Sequence, residues 1–322
     1  MPPKIRGMST NTTFLKRFTL MLSGEDSPDL VIEGAPPKGL PHERFLLGEK
    51  VALAPILLLS QSTQTIGMHE LVACLQPVHF HATRDHLILI QQDQMHLTRE
   101  ESSQLLHAAL PYIEADFQCP ILHEGIDDWF IQAGPFAGLE THSIEQAHGR
   151  NIDWWMPRDG KEDGVAKRWR KLQNEIQMLW HQDPVNEKRI EKGLLPINSL
   201  WISGIGSLAD VKTPMLFNSI QTLYGVHPLL IGLGKYLTIS SQEQVDPDHL
   251  ANGFAWLNDP EEIWPMLRHA LFDGRLDEIE MIDFPHGVIR HRTIRARDLL
   301  SRSWKFWKKP ELLSWQTLSQ LT

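Results

Sequence analysis

Five apolar residues, Val165, Trp169, Leu172, Ile176 and Leu179, recur at steps of four, three, four and three. Side chains three and four apart share one face of an α-helix, so this spacing predicts an amphipathic helix whose stripe must be buried against another element. The chain supplies one soon after. Beyond a stretch dense in Pro, Asn and Gly (HQDPVNEKRIEKGLLPIN, residues 181–198), residues 199–202 (SLWI) read as a short buried strand.

The same alternation runs through much of the 322 residues. Residues 85–91 (DHLILIQ), 129–132 (WFIQ), 229–231 and 278–284 (EIEMIDF) read as strands. Thr98 followed by Glu101 has the form of a capping box. It opens a helix carrying Leu105, Leu106, Ala109 and Ile113, which Pro111 should bend or end. Thr213 with Pro214 marks a further helix start, ending near Gly225, and Asp259-Pro260 another. Strands separated by helices predict an α/β protein with a largely parallel sheet flanked by helices, joined to a smaller α+β lobe. The pattern divides the chain into residues 1–70 as the N-terminal part of the α/β core, 71–162 as the smaller lobe, and 163–322 as the remainder with a basic C-terminal helix.

Composition removes several function classes. A net charge of −9 and a pI near 6.0 argue against general nucleic-acid binding, which needs a basic surface. The most apolar run, residues 51–59 (VALAPILLL), is far shorter than the roughly 20 residues that span a bilayer. The N-terminal segment carries charges and two early prolines in place of a leader pattern, so a cytoplasmic protein is expected, and Met8 would serve as a start as well as Met1. Cys74 and Cys119 show no CxxC spacing and read as free thiols.

The segment from residue 181 to 206 is the most idiosyncratic part of the sequence. Asn186, Arg189 and Asn198 could grip a carboxylate or phosphate through amide and guanidinium hydrogen bonds. They could equally cap helix ends and tie a loop. Gly204-Ile-Gly206-Ser-Leu-Ala209 matches the letter of a dinucleotide fingerprint, but the helix-start signal comes later, at Thr213-Pro214, and no acidic residue ends the next apolar run. A glycine-bounded loop at a strand's carboxyl end can still line a ligand crevice. His79 and His81 fall on one strand face and could bind zinc, although ordinary hydrogen bonding explains such a pair more simply. Trp154, Trp155 and Trp180 are expected in the core.

The run Asn174…Asp183-Pro-Val-Asn186…Arg189…Gly193…Pro196…Asn198…Gly204-Ile-Gly206 resembles a segment of the archaeal-type, cofactor-independent phosphoglycerate mutases. More closely, it is similar to the bacterial RpfE-type regulatory proteins. His79-Phe-His81, Asp85-His86, Arg150-Asn151-Ile-Asp153 and Asn198-Ser199-Leu-Trp201 extend the likeness over about residues 70 to 240. The resemblance implies an alkaline-phosphatase-like α/β fold, at least in part, in a superfamily that holds two divalent metals with Asp and His around a Ser or Thr nucleophile.

Departures from that pattern are equally legible. No apolar strand followed by Asp-Gly is found near the N-terminus. Ser203-Gly204 stands where the mutases have Arg-Gly, and a C-terminal ligand set would have to come from Asp283, His286 and His291. Without its metals a phosphoryl-transfer site loses most of its charge stabilisation. The expectation is a phosphoglycerate-mutase-like protein that has lost its metal-dependent site and acts as a regulatory or small-anion-binding protein. Its ligand, a phosphorylated or carboxylate metabolite, would meet Asn186, Arg189, Asn198, Ser203, Gly204 and Gly206. No catalytic residue, metal ligand or cofactor is assigned. The alternative is a divergent mutase or phosphatase using manganese or zinc.

Residues 290–309 hold eight Lys or Arg against one acid, Asp298. Leu299, Leu300, Trp304 and Trp307 give the segment an apolar stripe, so it reads as a helix with a solvated basic face. Arg297, Arg302, Lys305 and Lys308 would be the contact surface if that face met an acidic protein partner.

Overall fold

Arg17–Met21 (RFTLM), in a region with little periodicity, forms strand β1 at the middle of a six-stranded sheet. The computed structural model describes residues 15–27, 37–90, 92–160, 164–300 and 315. β1 pairs in parallel with β11 (Gly253–Trp256) on one side and β12 (Glu278–Asp283) on the other. β9 (Thr222–Tyr224) and β10 (Ser240–Gln242) continue the parallel run beyond β11. Only β13 (Arg290–Ile294) is antiparallel, against β12.

A second sheet is antiparallel throughout. Its spine is β2 (Val72–Ala82), which pairs with β3 (Leu87–Ile90), β5 (Trp129–Gln132) and β8 (Ser199–Gly206), while β4 (Ile121–Glu124) pairs with β5. A short ribbon of β6 (Leu139–Glu140) and β7 (Arg158–Asp159) stands apart. The molecule is thus a mixed α/β protein with a largely parallel, helix-flanked sheet and an antiparallel lobe.

The α-helices among the described residues are α1 (Pro41–Leu47), α2 (Leu53–Gln61), α3 (Arg99–Phe117), α4 (Ile144–Ala147), α5 (Val165–His181), α6 (Pro184–Glu191), α7 (Pro228–Leu237) and α8 (Trp264–Phe272). The α5 stripe is buried as its spacing demands, Trp169, Leu172 and Ile176 packing with Ile113 of α3 and Leu200 and Ile202 of β8. Thr98 and Glu101 close a complete capping box at the start of α3. Pro111 does not end that helix, which runs on to Phe117 because Ile113 and Phe117 bury against the same core.

Four local readings need correction. Residues 229–231 lie in α7, an apolar helix whose short run could not be told from a strand by periodicity. The helix expected from Thr213-Pro214 is a single 3-10 stretch, Met215–Ser219, followed at once by β9. Residues 290–294 are a strand, so the basic segment does not begin as a helix. Trp155 and Trp180 are buried, but Trp154 is 44% exposed.

Packing between the layers depends on close backbone approach. Gly204 adopts φ +66° within β8, and a Cβ there would lie 2.7 Å from the Ala54 nitrogen of α2. At Gly206 a Cβ would collide with Ala52. Glycine is therefore required for the strand to run under the start of α2.

Candidate functional site

The polar residues of the 181–206 segment turn inward. Asp183 caps α6 by accepting from Val185 N at 2.8 Å. Asn186 donates from Nδ2 to the carbonyls of Trp180 and Ile197, both at 2.7 Å, and accepts from Ile197 N at 2.7 Å. Arg189 is wholly buried and donates to Leu195 O at 2.8 Å, Met95 O at 2.5 Å and Glu101 Oε2 at 2.8 Å. Asn198 bridges the backbone of Phe80, accepting from its N–H at 2.7 Å and donating to its carbonyl at 3.0 Å. Ser203 donates to Gln76 Oε1 at 3.0 Å. Gly204 and Gly206 lie inside β8 rather than in a loop, and no helix opens on them. The loop that follows β8 is a 3-10 turn, Leu208–Asp210.

The carboxyl edge of the parallel sheet, where α/β proteins commonly bind ligands, is filled. Trp256, at the end of β11, donates from Nε1 to Ser23 Oγ at 3.0 Å and lies against His227, the rings tilted by 32° with 3.9 Å between centroids. His42 tilts against both Trp256 and Phe284. Burial pushes His42 down to about 4, so it is neutral at neutral pH. Asp26 receives both terminal nitrogens of Arg44, at 2.6 and 3.1 Å. Asp283 receives Arg290 at 2.6 Å and Arg292 at 2.9 Å. Asp26 and Asp283 each face a guanidinium, and His42 and His227 bracket an indole. That donor set does not fit a pair of divalent metals. Among the described residues no group of three or more His, Cys, Asp or Glu is placed to hold a metal ion.

His79 and His81 lie 5.9 Å apart between ring centroids. Nδ1 of His79 contacts Pro196 O at 2.8 Å, and burial lowers its pKa. Cys74 and Cys119 are buried free thiols, and burial pushes Cys119 up to about 11, which makes it a poor nucleophile.

An open cleft does exist, where β8 ends. Its volume is about 510 Å³, and Gly206 is the one residue it shares with the sequence-derived set. Lys38, Lys50 and Arg158 bring three cations to its wall, and Glu140 and Asp210 two carboxylates. Lys50 pairs with Asp210, and Glu140 stands opposite Arg158 in the β6–β7 ribbon. Lys38 donates to Ile205 O at 3.4 Å. Burial lowers the Lys38 pKa, against the opposing pull of Asp210 and Glu140. The loop holding Lys38 is fixed from the other side by Gln146 of α4, which donates to Pro37 O at 2.6 Å and Gly39 O at 3.0 Å and accepts from Gly39 N at 3.1 Å. Thr141 also lines the cleft, and its Oγ1 is buried without a hydrogen-bond partner among the described residues.

No sequence signal marks these groups, because they come from five separated loops and ribbon ends with no common spacing. Of the basic C-terminal set, Arg297 is exposed and lies 3.8 Å from Asp298. Arg302, Lys305 and Lys308 lie outside the described residues. The nearer cations are committed to ion pairs, Arg290 and Arg292 with Asp283 and Arg295 with Glu278 at 2.8 Å. No helix among the described residues is long and apolar enough to cross a membrane.

No family model and no curated protein sequence matches the chain. Two solved structures show a distant likeness. One is the cofactor-independent phosphoglycerate mutase from Thermoplasma acidophilum DSM 1728, 12% identical, covering 87% of this chain and 90% of that one at a TM-score of 0.35. The other is the PH0037 protein from Pyrococcus horikoshii, 11% identical, covering 88% and 90% at a TM-score of 0.39.

Proposed function

We propose that this chain is a phosphoglycerate-mutase-like protein, of the RpfE-type regulatory kind, that has given up metal-dependent phosphoryl transfer and binds a small anionic metabolite. The likeness of residues 174–206 to the mutase segment supports the ancestry. Asp26 and Asp283, each held by arginine, and the indole between His42 and His227 support the loss of catalysis. The observation that carries the binding function is the cleft at the end of β8, where one concave surface is lined by a half-buried Lys38 and by Thr141, whose buried hydroxyl has no partner among the described residues. Such a cavity lies within the usual range for small ligands, about 300–1,000 Å³. The ligand reaches Gly206 there, while Asn186, Arg189, Asn198 and Ser203 support the cleft from behind by fixing β8 and α6.

Thermal unfolding in the presence of small carboxylates and phosphates tests the reading. Stabilisation of the wild-type chain, absent in Lys38→Met, is the expected result. Interconversion of 3- and 2-phosphoglycerate that needs added manganese and stops on chelation would restore the enzyme and overturn it.

A further inference from the structure

Resting on the anion-binding reading, the charges of the cleft say which anion it takes. Among the described residues three cations face two carboxylates, leaving one positive charge in excess. Lys50 is neutralised by Asp210, and Arg158 stands across from Glu140. Lys38 and Arg158 both donate to carbonyls, Ile205 O and Trp154 O, but Arg158 is exposed and screened by water, so the excess is felt most strongly at the half-buried Lys38. A phosphomonoester brings about −1.5 to −2 charges at neutral pH. It would make a half-enclosed cleft that already holds Glu140 and Asp210 net negative, at a repulsive cost. A single carboxylate makes the cleft neutral.

The two acids then have a use. Ionised carboxylates only accept hydrogen bonds, so they select ligand groups that donate. Among the described residues the Thr141 hydroxyl lacks a partner, and leaving such a group unsatisfied when buried is costly. We infer that the ligand is a small hydroxy-carboxylate, its carboxylate held by Lys38 and the Thr141 hydroxyl and its own hydroxyls donating to Glu140 and Asp210.

Glycerate and 3-phosphoglycerate share a carbon skeleton and differ by the phosphoryl group, which makes them the deciding pair. Titration calorimetry on the full chain, with glycerate, 3-phosphoglycerate, acetate, glycerol and inorganic phosphate, should rank glycerate first. 3-Phosphoglycerate and phosphate should bind at least about tenfold more weakly, and glycerol not at all. Lys38→Met should weaken glycerate by about tenfold or more, the worth of one charge-assisted hydrogen bond. Glu140→Gln, on an exposed side chain, should weaken glycerate and strengthen 3-phosphoglycerate, an inversion that mere loss of folding cannot produce. If 3-phosphoglycerate binds wild type more tightly than glycerate, through Lys38, the hydroxy-carboxylate assignment is wrong and the anion site stands. If none of the anions binds, or Lys38→Met changes nothing, the cleft is not the site and both readings fall.

Discussion

Arg189 Nη1 donates to Glu101 Oε2 at 2.8 Å, and the same carboxylate oxygen accepts from Thr98 N at 3.0 Å. One acid therefore closes the capping box of α3 and anchors the only guanidinium found fully buried among the described residues. The bond ties α3 to α6 across 88 residues of sequence, and with Met95 O and Leu195 O it uses all three nitrogens of the guanidinium.

Replacing Arg189 by Leu should consequently lower stability by about 3–5 kcal/mol, since it leaves a carboxylate and two carbonyls without their donor. Arg189→Lys should recover only part, because an ammonium lacks the planar fork that spans the three acceptors. The urea midpoint reads both effects. Any stabilisation by bound anions should persist in the Lys variant, since the residue supports the cleft from behind.

Gly204→Ala should destabilise by roughly 2–4 kcal/mol, combining a left-handed backbone with overpacking against α2. Loss of the β8–α2 contact should also expose Ala52 and Ala54, so amide exchange in the first turn of α2 should speed up in step with the fall in the denaturation midpoint. A variant with the wild-type midpoint would show that α2 can shift without cost.

Two buried groups set opposite pH dependences. Burial, with the nearby Glu145 second, pushes Glu43 from 4.5 up to about 8. A raised carboxyl stabilises the fold fully below 4.5, and that contribution is lost as pH rises through about 8. His42, held near 4, works the other way: its contribution is present above 6.5 and is lost as pH falls toward 4. Melting followed from pH 4 to 9 should show Glu43→Gln flattening the alkaline limb and His42→Gln flattening the acid limb. Unchanged limbs would mean that neither group titrates as its burial implies.

Asp283→Asn should cost about 2–4 kcal/mol, because Arg290 and Arg292 both lose their counter-ion. Burial tends to raise the Asp283 pKa and is outweighed by those two arginines, which hold it below the usual carboxylate range. The wild type should therefore lose this contribution only in strong acid, below the ordinary carboxylate pKa of 3.8. Chemical denaturation at pH 7 and pH 3 should show a gap between variant and wild type at the first that narrows at the second.

Much of this architecture was legible in the sequence where pattern and packing agree. The α5 stripe, the α3 capping box and the strands around residues 87, 130, 200 and 280 all carry their periodicity locally. β1 was not, since five residues with a threonine and an arginine offer no period to read. Its strand character comes from partners more than two hundred residues away. Residues 229–231 misread as a strand because a short apolar run fits either element. The polar residues of the 181–206 segment stood out correctly as unusual, and their hydrogen bonds explain why: each closes a backbone gap at a helix or strand end. The cleft groups were invisible, because Lys38, Thr141 and Arg158 meet only after the chain has folded.

The placement of β1 has a consequence for how the molecule comes into being. Its N-terminal edge meets Asp277, 261 residues away, through the hydrogen bond from Lys16 N, and its other end meets Asn258, 235 residues on, through Ser23. The middle strand of the largest sheet therefore leaves the ribosome more than two hundred residues ahead of the strands it pairs with. Until β11 and β12 exist, both edges of β1 have to be left open to water, chaperones or other chains. Closing loops of that length before any pairing is gained makes assembly slow. A chain halted before residue 253 would hold its antiparallel lobe intact while lacking every partner that makes β1 a strand.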